Sequence, residues 1–270
     1  MRLSPTEIKK VKSPAPALVC LTAYTAPIAR ILDRHCDLLL VGDSVAMTLY
    51  GHDNTRAANL EMMSRHGQAV VRATSHACVI VDMPFGSYEQ SPQVALTNAQ
   101  RLMEETGAQG VKLEGGTDLA ESIHLIVKHN IPVMGHIGLL PQQVTSPEGF
   151  RYKGRTQDEI KSLFQDIEAV TQAGAFSIVI EGVSEAVAAS LSAQTPIPTI
   201  GIGASAACDG QILVSDDMLG LTYGHLPKFV KTYADLDNEI NVAVGRFAEE
   251  VRTRHFPNPT YLYAAQTAQK

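Results

Sequence analysis

The sequence has few cysteines, and no two of them form a C-x-x-C motif. The four thiols lie far apart along the 270-residue chain, at Cys20, Cys36, Cys78 and Cys208. Small secreted scaffolds show the opposite pattern, because they crowd many cysteines into a short chain to form disulfides. We therefore expect reduced, mostly buried thiols in a reducing compartment.

Long apolar runs are also absent. No uninterrupted apolar stretch approaches the roughly 20 residues that a helix needs to cross a bilayer. Residues 1–12 are polar and charged, unlike the apolar core of a signal peptide. We expect a cytoplasmic protein with no membrane partner.

Long runs of one charge and linkers rich in proline or serine are missing too. The net charge is −6, and the basic segment 151–155 is too short for a nucleic-acid footprint. We therefore expect no nucleic-acid partner. Because no change of composition divides the chain, residues 1–270 are predicted to form a single domain.

What the sequence does contain is a repeated alternation of strands and helices. Short apolar runs with strand character are mostly continuous, as in parallel strands that are covered on both faces; they occur at 17–23, 37–42, 78–83, 110–114, 132–137, 176–181, 197–202 and 211–214. Helical patterns lie between or after them, at 26–35, 60–74, 92–106, 119–129, 157–173, 185–194 and 236–251.

Two of these helices begin with the spacing of a capping box, at Asp118–Glu121 and at Thr156–Glu159. The alternation as a whole fits either a closed (β/α)8 barrel or an open doubly wound sheet. Eight units in about 250 residues match the usual size of the barrel. We predict an α/β fold, a (β/α)8 TIM barrel, with an N-terminal helix packed on it.

Ionisable residues stand where the predicted strands end. Lys112 and Glu114 are two residues apart, so both side chains project from the same face of one strand. Other strands end at Asp43, Asp82 and Glu181. In a parallel barrel these ends share one rim, where active sites of this fold lie. A solvated edge strand is the simpler explanation for the strand of Lys112 and Glu114 taken alone, but not when several other strands end in the same way.

The acids Asp43, Asp82 and Glu114 come from three consecutive predicted strands, so their carboxylates can converge. Such acids repel one another in a cleft, which calls for a cation. The candidate ligands are all oxygen donors, and this favours Mg²⁺ over zinc. Mg²⁺ usually takes one or two carboxylates directly, so one of the acids can act through water. The alternative for each aspartate is a turn cap after a strand.

The remaining candidates have distinct roles. Lys112 can hold a substrate carboxylate or enolate oxygen, or it can form a structural ion pair. Glu181 comes from a different part of the rim and suits a general base; its alternative is a salt bridge to Lys112 or a loop arginine. His136 can donate a hydrogen bond to substrate, or it can be a satisfied core histidine.

Taken together, these stretches make the chain resemble the ketopantoate hydroxymethyltransferase family. The matching segments follow the family's order and are VGDSVAMTLYGHDNT (41–55), VDMPFGSY (81–88), VKLEGG (111–116), GHIGLLPQ (135–142), KGR (153–155), VIEGV (179–183), IGIGAS (200–205), DGQILV (209–214) and GHLPKF (224–229). The resemblance implies a (β/α)8 barrel of the phosphoenolpyruvate/pyruvate type, a Mg²⁺ site and a homo-oligomer, commonly a decamer.

The resemblance also implies roles for particular residues. Asp43, Asp82 and Glu114 match the acids of the family's metal site, and Glu181 matches its proton acceptor. The positions that match substrate contacts are Asp43, Ser44, Asp82 and Lys112. The implied reaction transfers a hydroxymethyl group from 5,10-methylenetetrahydrofolate to 3-methyl-2-oxobutanoate through a Mg-stabilised enolate and gives 2-dehydropantoate, a step of pantothenate and coenzyme A biosynthesis.

Two alternatives to this reaction remain open. The first is another metal-enolate enzyme, a C–C lyase or carboligase that acts on a different 2-oxo acid. The second is a barrel kept as a binding or scaffold protein without turnover, although the acids at all four matching positions argue against it. Fold alone does not decide between them, since barrels host many chemistries.

Overall fold

The computed structural model describes residues 2–146, 149–222, 224 and 226–263. Part of the GHLPKF stretch, His225, lies outside these described residues. Eight parallel strands close into a barrel in which each strand pairs with its neighbours in the sequence and β8 pairs with β1. The strands are β1 (Leu18–Thr22), β2 (Leu38–Val41), β3 (Cys78–Asp82), β4 (Gly110–Lys112), β5 (Val133–Gly138), β6 (Ser177–Glu181), β7 (Thr199–Ile202) and β8 (Gly210–Leu213).

The predicted barrel is confirmed, and the strands differ from the predicted runs only at their ends. The clearest differences are at β4, which ends at Lys112 instead of 114, and at β7, which begins at Thr199 instead of 197. Most strand residues are buried, which explains why the sequence shows continuous apolar runs. Glu114 therefore lies just beyond its strand.

Helices alternate with the strands along the chain and follow the last of them. They are α1 (Pro5–Ile8), α2 (Ala26–Leu32), α3 (Val45–Thr48), α4 (Leu60–Ala73), α5 (Pro92–Thr106), α6 (Ala120–Lys128), α7 (Gln157–Gln172), α8 (Glu185–Gln194), α9 (Ser215–Met218) and α10 (Leu236–Arg252). Short 3-10 helices include Thr55–Ala57, Thr117–Leu119, Pro141–Gln143 and Pro259–Tyr261. The seven-residue link 203–209 between β7 and β8 contains no helix.

The two predicted capping boxes have different outcomes. At α7 the Thr156 side chain accepts the N–H of Glu159, as expected, but the Glu159 carboxylate accepts the N–H of Arg155. At α6 the predicted box is wrong, because a 3-10 turn precedes the helix and the N-cap position falls on Leu119. Asp118 instead accepts the N–H of Gly116, within the Gly-Gly turn.

The N-terminal helix α1 closes one end of the barrel. Ser4 and Glu7 form a capping box at its start, and Ile8 is 1% exposed. Ile8 packs in the apolar cluster that fills the barrel interior, which also includes Leu18 and Phe176 near the beginnings of strands. Burying an aliphatic side chain in this way contributes roughly 1.5–3 kcal/mol. The expected N-terminal helix is therefore present, at the end of the barrel where the strands begin.

The chain divides into two compact units. The first comprises Met1–Ser215 with Pro227–Val230, and it contains the barrel and all the predicted site residues. The second comprises Asp216–Leu226 with Lys231–Lys270 and contains α10, none of whose residues is buried. The single domain expected over 1–270 stays a prediction. Among the described residues, none of the helices has the length and apolar character that a membrane span requires.

Candidate active site

Residues at the carboxyl ends of five strands form a buried polar cluster. Asp82, Lys112 and Glu181 are the last residues of β3, β4 and β6, and His136 lies on β5. Asp43 comes two residues after β2. Because the strands are parallel, these positions meet at one rim of the barrel, as predicted from the sequence. Glu114 follows β4 and joins the same cluster.

The three acids lie close enough together to perturb one another. The backbone N–H of Asp43 donates to Asp82 Oδ2 over 3.0 Å. Burial raises the pKa of Asp43 well above its usual range, and the negative charges of Asp82 and Glu114 raise it further. Burial also raises the pKa of Glu114 to about 8. Both shifts show that the charged forms of Asp43 and Glu114 are disfavoured in this cluster, mainly by burial.

Lys112 is the cation inside this cluster. Its Nζ lies 3.0 Å from Asp82 Oδ1 and 3.8 Å from Glu114 Oε1. Burial alone lowers the pKa of this lysine, but the carboxylates of Asp82, Glu114 and Asp43 outweigh burial and raise it above the usual value. Lys112 is therefore a charged ammonium. In the described structure it forms ion pairs with Asp82, the last residue of β3, and with Glu114, which follows β4.

His136 lies between Lys112 and Glu181. Its Nδ1 is 3.1 Å from Lys112 Nζ. Since an ammonium can only donate, Nδ1 accepts, and the ring proton is on Nε2. Burial, and then the charge of Lys112, lower the pKa of His136 well below its usual value, which keeps the ring neutral. The Nε2–H has no hydrogen-bond partner among the described residues and lies 3.4 Å from Glu181 Oε2.

Glu181 is more accessible than the other acids of the rim, with 16% of its side chain exposed. Burial raises its pKa to about 7, and the positive charge of Lys112 offsets part of that effect. A carboxyl group that titrates near neutral pH and faces a neutral imidazole can accept a proton from a ligand.

Ser44 is held at the edge of the cluster by Tyr24. The two hydroxyl oxygens are 2.8 Å apart, and Ser44 directly precedes α3. Gly42 gives this turn its space, because a Cβ at that position would lie 2.9 Å from Ser44 Oγ. The structure thus brings Ser44 to the same turn as Asp43.

Two residues of the cluster were not identified from the sequence, although each ends a stretch that carries the family resemblance. Gln142 is 1% exposed and contacts both Asp43 and Glu114. Tyr88 is buried and contacts Gln142 and Glu114. Neither residue stands at the end of a predicted strand, where the other candidates were found. The only signal for them is their position at the ends of VDMPFGSY and GHIGLLPQ.

The donor set is compatible with a hard cation. Asp82 Oδ1 is buried and, apart from its ion pair with Lys112, has no hydrogen-bond partner among the described residues. In the part of the chain that is described, no group of three or more His, Cys, Asp or Glu side chains is arranged to hold a metal ion by itself. Mg²⁺ does not need one, since it usually binds one or two carboxylates and completes its shell with water and substrate oxygens.

Solved structures with similar folds include a lyase and a phosphomutase. The chain is similar to 2,3-dimethylmalate lyase, a PEP mutase/isocitrate lyase superfamily member, with a TM-score of 0.59, 14% identity and coverage of 98% of this chain and 92% of the other. Phosphoenolpyruvate phosphomutase from Streptomyces platensis subsp. rosaceus gives a TM-score of 0.61 at 10% identity over 93% and 88% of the two chains. At such identities the similarity establishes the fold alone.

Sequence relatives are much closer. The family profile described as ketopantoate hydroxymethyltransferase matches residues 2–259. A 3-methyl-2-oxobutanoate hydroxymethyltransferase of Brucella suis is 56% identical over 265 residues, 98% of this chain and 96% of the relative. The enzyme of that name from Rhodospirillum rubrum is 54% identical over 97% and 95% of the two chains. With this agreement along nearly its whole length, the chain belongs to the ketopantoate hydroxymethyltransferase family and is an enzyme of the hydroxymethyltransferase class.

Proposed function

We propose that the chain transfers a hydroxymethyl group from 5,10-methylenetetrahydrofolate to C3 of 3-methyl-2-oxobutanoate and gives 2-dehydropantoate. The names of its relatives support this substrate. The observation that carries the chemistry is the carboxyl of Glu181, with a pKa of about 7, beside a neutral His136 and a charged Lys112. This arrangement combines a proton acceptor with a cationic site for a 2-oxo acid.

Substrate binding uses the cationic and hydroxyl groups of the rim. Lys112 supplies a buried positive charge for the carboxylate or the 2-oxo oxygen. Ser44, fixed by Tyr24, offers a hydroxyl at the turn after β2. The Nε2–H of His136 is a donor without a partner among the described residues, and a substrate oxygen can accept it. These three groups orient an anionic ligand beside Glu181.

Asp43, Asp82 and Glu114 are the residues that would hold Mg²⁺. When bound, the ion supplies a Lewis acid that polarises the 2-oxo group and stabilises the charge that develops as the C3 proton leaves. Repulsion from neighbouring carboxylates contributes to the raised pKa values of Asp43 and Glu114, and a cation held by these residues would reduce it.

Glu181 then removes the C3 proton. A carboxyl group with a pKa near the working pH is about half ionised and, in its ionised form, is basic enough to accept a proton; such a base typically contributes about 10²–10⁴-fold. Water hydrolyses the methylene bridge of 5,10-methylenetetrahydrofolate: both C–N bonds break, the carbon keeps the water oxygen as formaldehyde, and the two nitrogens of tetrahydrofolate take the two protons. The electron pair left at C3 then attacks the formaldehyde carbon and forms the new C–C bond. The resulting alkoxide takes up the proton that Glu181 removed and becomes the hydroxyl group of the product.

A panel of 2-oxo acids tests the proposed reaction. Branched and unbranched acids are incubated with and without 5,10-methylenetetrahydrofolate, in Mg²⁺ or after treatment with a chelator. We expect product from 3-methyl-2-oxobutanoate only when both folate and metal are present. Product that forms with a folate-independent carbon donor would instead favour a C–C lyase or carboligase acting on another 2-oxo acid, and full activity after rigorous chelation would exclude the metal site.

A further inference from the structure

Gln142 connects acids that come from different strands. It lies in the 3-10 helix Pro141–Gln143 that follows β5, and its side chain is buried. The amide Nε2 donates to Asp43 Oδ2 over 2.8 Å and to the carbonyl oxygen of Met83 over 3.0 Å. Its backbone N–H donates to Glu114 Oε2 over 3.0 Å. One residue thus engages two of the three candidate metal ligands.

The orientation of this amide is fixed by Tyr88. The Tyr88 hydroxyl donates to Gln142 Oε1 and accepts the N–H of Glu114 over 3.4 Å. If the amide were flipped, Oε1 would face the carbonyl oxygen of Met83, which can only accept, and that carbonyl would lose the N–H that now donates to it. Buried acceptors without a donor are costly, so the observed orientation is strongly preferred.

The backbone of Gln142 is also held by a hydrogen bond from a residue of another loop. Its carbonyl oxygen accepts from Arg56 Nη1 over 3.3 Å. The Arg56 guanidinium in turn lies over the Phe85 ring, 3.7 Å from its centre. The segment after β5 is therefore anchored to the loops that follow β2 and β3.

The contacts of Gln142 leave part of each acid free. They engage Oδ2 of Asp43 and Oε2 of Glu114, so the other oxygen of each carboxylate remains for Lys112 or for a cation. Groups that orient ligating carboxylates in this way are a general feature of metal sites, and their loss typically weakens metal binding about 10–100-fold.

We infer that Gln142, oriented by Tyr88, is a positioning residue that fixes Asp43 and Glu114 for a divalent cation and thereby sets the affinity of the site. The inference rests on the proposed function in one respect, the presence of a metal at these acids. It adds a requirement for the side-chain amide of Gln142, which no acid or lysine of the cluster can replace.

The test measures binding of Mn²⁺, a paramagnetic ion that accepts the same oxygen ligands. Gln142→Met keeps the size of the side chain and removes the amide. Gln172→Met is the matched control, because Gln172 also donates to a carboxylate, that of Glu168, but on the exposed surface of α7. Titration followed by electron paramagnetic resonance should show a Kd about 10–100-fold higher for Gln142→Met and an unchanged Kd for Gln172→Met.

Two further results distinguish positioning from a general defect. Tyr88→Phe should also raise the Kd for Mn²⁺, but by a smaller factor, since the Gln142 amide itself remains. If Gln142→Met does not fold, the Kd of Tyr88→Phe tests whether orientation of this amide sets the affinity. Activity of Gln142→Met should recover in excess Mg²⁺. An unchanged Kd in folded Gln142→Met would overturn this inference alone, whereas absence of Mn²⁺ binding in the wild-type protein would overturn the proposed metal site and the inference with it.

Discussion

His136 separates a buried ammonium from a carboxyl group that titrates near neutrality. Lys112 donates to one side of the ring, so the other side carries the proton and faces Glu181. The residue types alone left two possibilities for His136, a ligand donor or a satisfied core histidine. The geometry favours the first, because Nε2 has no hydrogen-bond partner in the described structure.

Glu181 should be required for removal of the C3 proton even when no folate is present. In heavy water, the enzyme with Mg²⁺ and 3-methyl-2-oxobutanoate should exchange the C3 proton for deuterium, as followed by NMR. The rate should rise with pH through about 7 and then level off, because the base acts only when deprotonated and burial raises its pKa to about 7. Glu181→Gln should lose about 10²–10⁴-fold of this rate.

Binding provides the control for this variant. Glutamine has nearly the same shape as glutamate, and Glu181 is not one of the three acids proposed for the metal. Glu181→Gln should therefore bind Mn²⁺ and the 2-oxo acid as the wild-type protein does. Exchange at the wild-type rate in Glu181→Gln would show that another group is the base. His136 would then be the next candidate.

Among the elements of the fold, strands were more predictable than the turns that follow them. Continuous apolar runs identify β2 and β3 because both strands are buried on both faces. The helix signal at Asp118 failed because that carboxylate accepts the N–H of Gly116 in the Gly-Gly turn. Gln142 could not be found by residue type, since its role depends on contacts with loops that are distant in sequence.

The short helix α1 should stabilise the barrel without affecting the site. Ile8→Ala removes a buried side chain from the cluster at the beginnings of the strands, and we expect a loss of about 2–5 kcal/mol of unfolding free energy. The midpoint of thermal unfolding should fall, while the Kd for Mn²⁺ stays unchanged. Lys10→Ala, in the exposed part of the same segment, should alter neither quantity. A weaker Mn²⁺ affinity in Ile8→Ala would contradict this separation of fold and site.

For the whole molecule, the sequence predicted the barrel from eight repeats of one pattern, and the structure confirms the closed strand order. The number and order of the strands can be predicted from the sequence because each apolar run is a local property of the chain. The surface that a helix contacts depends on residues distant in sequence, so the contacts of α10 could not be derived from its own residues. Its residues are described, and none of them is buried.

We predict a homo-oligomer, as the family resemblance implies, with α10 in the contact between copies. Ile240, Val244, Phe247 and Val251 follow the i, i+4, i+7, i+11 spacing of one helix face, and they are 51%, 58%, 54% and 45% exposed. A contiguous apolar face of this kind usually marks an interaction surface.

Light scattering after gel filtration should give a mass several times the 29.1 kDa of one chain. Phe247→Glu should shift the protein to smaller species, because it places a charge on that face, whereas Asn238→Glu, an exposed polar position of the same helix, should not. A monomeric wild-type protein, or an unchanged mass in Phe247→Glu, would show that α10 does not join the copies.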